Sequence, residues 1–315
     1  MLPKTRIHQA SSLEQKDATV YVKREDESGF GISGCKKRKY ASLLPWLSQR
    51  EVQLVALIGG ARSNHVISLL QLLREYRIDV QLFLKKNHAK LYQGNQLLLH
   101  LLADQQEIVW LDSSSWSEVE TIAQESLEKS GTTHFMVPEG GTCAPALPGA
   151  CSLMLDIIRN EAESGIQFDH IFLDSGTALM AGATCLVHHW LAHPAQLHVV
   201  LVAGSEAYFA QQLMDVCQWS EGWNGSELPA PTLPQLYRPV TAKSFGSVNA
   251  SVVKEVKRLA REEGLLTDPI YTAKLFGTAR HIIQADRLRG NVLIVHSGGG
   301  TGLMGFGEKL FGESV

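Results

Sequence analysis

Six strand-length runs of Val, Ile, Leu and Phe recur along the chain, at residues 52–58, 80–84, 108–111, 170–173, 197–202 and 292–295. A strand with one wet face alternates apolar and polar residues. These runs largely do not, so they are expected to be buried on both faces, as in a parallel sheet. The stretches between them have helical spacing. Residues 63–76 set Val66, Leu69, Leu70 and Leu73 on one side, and residues 248–263 do the same with Val252, Val256 and Leu259. Strand and helix in alternation imply an α/β fold with mainly parallel sheets. At 315 residues, the chain has room for about two domains of roughly 150 residues.

Glycine clusters follow three of the runs: Gly59-Gly60, Ser175-Gly176-Thr177 and Gly298-Gly299-Gly300. In open α/β sheets, ligands bind outside the carboxyl ends of strands, where a Gly-rich turn lets backbone N–H groups approach an anion. Three such turns imply one shared site. A formal charge of −3 gives no general attraction for nucleic acid or anionic lipid, so a small molecule is the expected partner. The five cysteines include no C-x-x-C pair, which indicates neither a disulfide framework nor a zinc site and fits a reducing cytoplasm. The N-terminus lacks an apolar leader, and every apolar run falls far short of the ~20 residues of a membrane span. Residues 219–239, with four prolines, read as a surface loop.

Several motifs do not survive inspection. Gly300-Thr-Gly302-Leu-Met-Gly305 matches the dinucleotide pattern, yet too few residues follow it for a βαβ unit, so it reads as a Gly-rich turn opening the last helix. His189 and His193 share i, i+4 spacing, but Trp190 stands where a zinc protease needs Glu. Asn224-Gly-Ser226 is a glycosylation sequon without meaning in a cytoplasmic chain. The run from Lys36 to Lys39 reads either as a surface patch or as chemistry. A lysine opening a helix behind Gly34 sits at the positive end of the dipole, which favours its neutral amine and imine formation.

Val-Lys-Arg-Glu-Asp26, Gly34-x-Lys36-x-Arg38-Lys39, Gly59-Gly60-x-x-Ser63-Asn64-His65 and Leu266-Thr-Asp-Pro-Ile-Tyr271-Thr272-x-Lys274 resemble the 1-aminocyclopropane-1-carboxylate deaminase/D-cysteine desulfhydrase family. Val-Pro-Glu-Gly-Gly141 and Val295-His-Ser297-Gly-Gly299 extend the match over nearly the whole chain. The resemblance implies a pyridoxal-phosphate enzyme of the tryptophan-synthase-β-like fold (fold type II), with two three-layer α/β/α domains. The larger would comprise residues 1–44 and 151–315 and the smaller residues 45–150, with the cofactor in the cleft and a homodimer as the assembly. It further implies that Lys36 is the Schiff-base lysine and the base that removes the Cα proton. Ser63, Asn64 and His65 would hold the substrate carboxylate and the cofactor's phenolic oxygen, against the alternative that Ser63 and Asn64 are only helix caps. Tyr271 would stand near the substrate and Ser297 would contact the pyridine nitrogen. A neutral hydroxyl there implies an unprotonated ring, a weaker electron sink that favours β-elimination over transamination.

Three departures sharpen the expectation. The phosphate nest would be residues 175–182, with Gly176, Thr177, Ala178 and Leu179 supplying backbone N–H groups. It is poorer in hydroxyls than in relatives, which leaves room for a degenerate, weakly binding paralogue. Phe245 stands where the family's second tyrosine would be, so any role needing a phenol there is lost. Thr272 follows Tyr271 where true deaminases carry an acid, and Cys35 precedes the lysine. The expected activity is therefore α,β-elimination of a small amino acid, of the D-cysteine desulfhydrase type. Its products would be a 2-keto acid, ammonia and, from D-cysteine, hydrogen sulfide. The cyclopropane deaminase, or another lyase or racemase on the same scaffold, is the alternative.

Overall fold

A computed structural model of the chain describes residues 4–29, 34–86, 92–221, 223 and 231–312. Among them, the apolar runs form two sheets. Strands β1 (Ile7–Gln9) and β2 (Ala18–Arg24) lead into helix α1 (Lys36–Gln49). The four-stranded sheet follows. It comprises β3 (Leu54–Gly60), β4 (Asp79–Lys85), β5 (Ile108–Leu111) and β6 (His134–Val137), joined through α2 (Asn64–Glu75), α3 (Asn95–Leu102) and α4 (Val119–Lys129). The chain returns through α5 (Leu147–Ser164) to β7 (His170–Ser175), α6 (Leu179–Trp190), β8 (Gln196–Leu201), α7 (Glu206–Trp219) and β9 (Gln235–Tyr237). It ends with α8 (Ala250–Glu263), α9 (Thr272–Ala285), β10 (Gly290–His296) and the short α10 (Gly300–Leu303) and α11 (Gly307–Phe311).

The strand orders are β1-β2-β10-β7-β8-β9 and β5-β4-β3-β6. Apart from the antiparallel β1–β2 pair, every pairing between these strands is parallel. Burial on both faces is visible within single strands. In β3, Val55 and Leu57 join the large core shared with α1, α2 and α5, whereas Ala56 and Ile58 pack on Val119, Ala123 and Leu127 of α4. In β7, Ile171 and Leu173 face that same large core, and Phe172 faces Leu275, Phe276 and Ala279 of α9. Each sheet is thus the middle of an α/β/α sandwich.

The order in which strands are added reverses between β3 and β6 in one sheet and between β7 and β10 in the other. Such switch points open a crevice at the carboxyl ends of the strands. Two readings from the sequence are corrected. Within residues 219–239, Gln235–Tyr237 is an edge strand paired with β8; three residues before a proline are too few for periodicity to reveal. Residues 222 and 224–230 of that stretch, including the Asn224 sequon, lie outside the described residues. The two histidines do not share a helical face, because α6 ends at Trp190 and Ala192 turns left-handed at φ 45°. His193 Nε2 instead meets Glu161 Oε2 at 2.8 Å. Among the described residues no helix is long and apolar enough to cross a membrane.

Candidate active site

A cavity of about 660 Å³ lies at the two switch points. It is lined by Lys36, Ser63, Asn64, His65, Gly176, Thr177, Ala178, Leu179, Phe245, Tyr271 and Ser297, which are all the residues singled out from the sequence. Residues up to 261 positions apart, from Lys36 to Ser297, are brought together because the connections that carry them end at the same crevice.

Lys36 opens α1. Gly34 makes this possible: at φ +72°, a Cβ on it would stand 1.9 Å from the Ser297 carbonyl oxygen, and the Cys35 N–H donates to that oxygen at 3.1 Å. The helix start is thereby tied to the end of β10. Among the described residues Lys36 Nζ makes no hydrogen bond or ion pair, and it stands 5.6 Å from the centre of the Tyr271 ring. The rest of the basic run is internal, which removes the surface-patch reading. Lys37 Nζ donates to the Ser28 carbonyl, and Arg38 is buried against Glu25 and Asp156. Lys39 Nζ is buried and donates to the Gly140 carbonyl at 3.1 Å. Burial, and then the charge of Lys36, pull its pKa down to about 7.

On the four-stranded side, Ser63 caps α2 by accepting the His65 N–H at 3.2 Å. Asn64 Oδ1 accepts from Asn95 Nδ2 at 2.6 Å, and Asn95 also donates to the Arg62 carbonyl and accepts from Thr301 Oγ1. His65 is buried with Nδ1 2.6 Å from the Tyr40 hydroxyl. Burial, followed by the charges of Lys39 and Lys36, pushes its pKa down to about 3, so the imidazole is neutral.

On the six-stranded side, residues 175–178 run from β7 to α6. The Ser175 hydroxyl is buried without a hydrogen-bond partner. Thr177 Oγ1 accepts from Thr142 Oγ1 at 2.9 Å, which leaves its own proton available. Ala178 caps α6 at φ +64°, a left-handed conformation that costs a non-glycine residue roughly 1–2 kcal/mol. Gly140 packs so closely on Thr177 that a Cβ would fall 2.1 Å from Oγ1. Lys39, bonded to Gly140, therefore sits behind this turn. A buried orphan hydroxyl, a free threonine proton, N–H groups at a helix start and a buried amine form an anion cradle, from which the Leu179 N–H drops out because it donates to the Thr177 carbonyl at 2.9 Å.

Tyr271 leans on the same turn, since a Cβ on Gly176 would meet its Cε1 at 3.1 Å. Burial and the acids Asp268, Asp174 and Glu139 raise its pKa and hold the phenol un-ionised. Asp268 fixes the turn beneath it by accepting from the N–H groups of Ile270, Tyr271 and Thr272 and from the Thr272 hydroxyl. Thr272 is buried in that knot and does not line the cavity. Phe245 is 58% exposed at the rim, edge-on to Tyr271 with ring centres 5.9 Å apart. Sequence reasoning missed Lys39, Asn95 and Asp174 as cavity residues. Lys39 was findable, one helical turn beyond Lys36. Asp174 was signalled by a charge at the end of an apolar run, and Asn95 by nothing in the sequence.

The description "Pyridoxal-phosphate dependent enzyme" belongs to the family model that matches residues 2–298. A Thermotoga maritima protein assigned as a 1-aminocyclopropane-1-carboxylate deaminase is 27% identical over 304 residues, 94% of each chain. A D-cysteine desulfhydrase of Klebsiella pneumoniae is 26% identical over 299 residues, covering 92% of this chain and 90% of that one. Among solved structures, a crystallised homologue of the deaminase aligns with a TM-score of 0.87 at 24% identity, covering 98% of this chain and 94% of its own. An O-ureido-L-serine synthase aligns at 0.72 and 14% identity, over 100% of this chain and 94% of its own; both structures speak to the fold. The chain belongs to the pyridoxal-phosphate-dependent enzymes, in the fold type II class.

Proposed function

We propose that this enzyme catalyses α,β-elimination from a small amino acid, in the manner of a D-cysteine desulfhydrase: D-cysteine and water would give pyruvate, ammonia and hydrogen sulfide. The observation that carries the reading is the surroundings of Tyr271. Its ring centre stands 5.6 Å from Lys36 Nζ, the ring edge-on to it is Phe245, which can neither donate nor ionise, and the other phenol lining the cavity, Tyr208, is 40% exposed. Chemistry that needs two phenols is thereby disfavoured, and elimination assisted by one proton donor is not.

Bound pyridoxal phosphate supplies an aldehyde carbon and an electron-withdrawing ring. The cradle of Ser175, Thr177 and the start of α6 suits its phosphate, with Lys39 as counter-charge. Lys36 Nζ, free of other partners among the described residues, suits both attachment to the aldehyde and acceptance of the substrate's Cα proton. Ser63 uses its oxygen to cap α2 and keeps its hydroxyl proton, so the capping and carboxylate-binding roles coexist. Asn64 can offer its N–H₂ group, because its oxygen is held by Asn95. Tyr271, kept neutral at ordinary pH, would give a proton to the departing β-substituent.

The test is to supply reconstituted enzyme with D-cysteine, L-cysteine and 1-aminocyclopropane-1-carboxylate while following sulfide and 2-keto acid. Sulfide and pyruvate in equal amounts from D-cysteine, with no 2-oxobutyrate from the cyclopropane, is the expected result. Ring opening would restore the deaminase reading, and a protein that takes up no cofactor would be the degenerate relative.

A further inference from the structure

Among the ionisable groups of the cavity that the proposed reaction does not use, Asp174 is the acid at the end of β7. Asp174 lies at the carboxyl end of β7, after the buried Ile171, Phe172 and Leu173, and reaches the same cavity as Lys36, Tyr271 and Ser297. Extending the pairing of Phe172 with Ile294 by two residues sets Asp174 beside His296, next to Ser297. A carboxylate in such a place needs donors. Burial raises its pKa, while the Ser297 hydroxyl, by hydrogen bonding, and the charge of Lys36 work in the opposite direction. Asp268, the other acid facing it, is already saturated by the turn before α9. Once Lys36 is engaged with the cofactor's aldehyde, Ser297 is the side-chain donor left to Asp174, beside its own backbone N–H.

We propose that Asp174 is a positioning residue that acts through Ser297, taking the hydroxyl proton so that the serine oxygen faces the cofactor as an acceptor and keeps the ring nitrogen protonated. This rests on the reading that Lys36 holds the cofactor and Ser297 faces its ring nitrogen. A hydroxyl has one proton to give and lone pairs to receive. Alone, Ser297 could donate to an unprotonated nitrogen. With its proton committed to a carboxylate, only an N–H on the ring completes the pair. Asp174 thereby supplies, from β7, the acidic influence that Thr272 cannot exert, since the Thr272 hydroxyl is tied to Asp268. A protonated ring withdraws electrons more strongly than the neutral ring implied by the serine alone, so the elimination reading stands on Tyr271 and Phe245 and not on a weak electron sink.

The experiment is reconstitution with pyridoxal phosphate carrying ¹⁵N in the ring, followed by NMR of that nitrogen in the wild type and in Asp174→Asn, Ser297→Ala and Lys36→Ala. The wild type is expected to give a pyridinium signal that moves to the pyridine range in Asp174→Asn. The signal in Ser297→Ala, where Asp174 remains, is expected to move likewise. A pyridine signal in the wild type, or a pyridinium signal that persists in either variant, overturns the role of Asp174 while leaving the Lys36 reading intact. A wild-type sample that shows only free cofactor, indistinguishable from Lys36→Ala, overturns both.

Discussion

The cavity wall that rises from the four-stranded sheet has most of its polar groups engaged, some by bonds to α1 and α10, with His65 Nε2 left without a partner among the described residues. Ser63 caps its own helix, Tyr40 holds His65, and Asn95 ties Arg62 and Asn64 to Thr301. The facing wall, made by the ends of β7 and β10 and the start of α1, carries the orphan Ser175 hydroxyl, the unpaired Lys36 amine, a strained left-handed Ala178, and Lys39, driven towards neutrality with the Gly140 carbonyl as its acceptor. Polar groups buried without partners cost stability, so a fold keeps them where a ligand completes them. The first wall is shaped in advance to receive and orient, and the second is completed by the cofactor.

This contrast can be broken at its most exposed point. Lys36→Ala should abolish turnover on every substrate while leaving the melting temperature of the apo-protein within about 2 °C, since among the described residues its amine makes no hydrogen bond or ion pair. Tyr271→Phe should slow turnover roughly 10²–10⁴-fold with cofactor still bound, the range for loss of a positioned proton donor. Equal rates in the two proteins would remove the phenol from the mechanism.

Lys39 separates the walls by pH. With a folded pKa of about 7 against an ordinary 10.5, the unfolded apo-chain binds a proton between those values that the folded chain does not. The stability of the apo-protein should therefore rise with pH across that window. Denaturant melts at pH 7 and 10 should show the rise in wild type and its loss in Lys39→Met. The same variant should bind cofactor roughly 10-fold more weakly or worse, from a lost charge-assisted contact of about 1.5–3 kcal/mol.

Asn95→Ala should cost about 1–3 kcal/mol, because it leaves Thr301, Asn64 and the Arg62 carbonyl without their partner. Ala178→Gly is the mildest case. Relief of the left-handed strain exceeds the entropic cost of glycine by roughly 0.5 kcal/mol, read as a small rise in the denaturation midpoint. A destabilised glycine variant would mean the turn is not strained.

What the amino-acid order reveals follows physical range. Non-alternating runs made the parallel sheets readable, because burial on both faces is written into each strand. Gly34 and Gly176 read from the sequence as turns around a ligand, whereas what each packs against, Ser297 and Tyr271, lies far along the chain and is not legible locally. The family motifs picked out residues that meet in one cavity. Asn95 and Asp174 escaped because their significance depends on partners in other elements. His193 misled because a helix ended three residues before it. The edge strand at Gln235–Tyr237 was too short to carry any period.

The account stands on Lys36 as the residue to which pyridoxal phosphate is joined. Reduction of the reconstituted protein with borohydride, followed by proteolysis and mass mapping, tests it most directly. One modified peptide containing Lys36, with the visible absorption bleached in step, is the predicted result. A label on Lys39 or another lysine, or an unmodified digest, would contradict it.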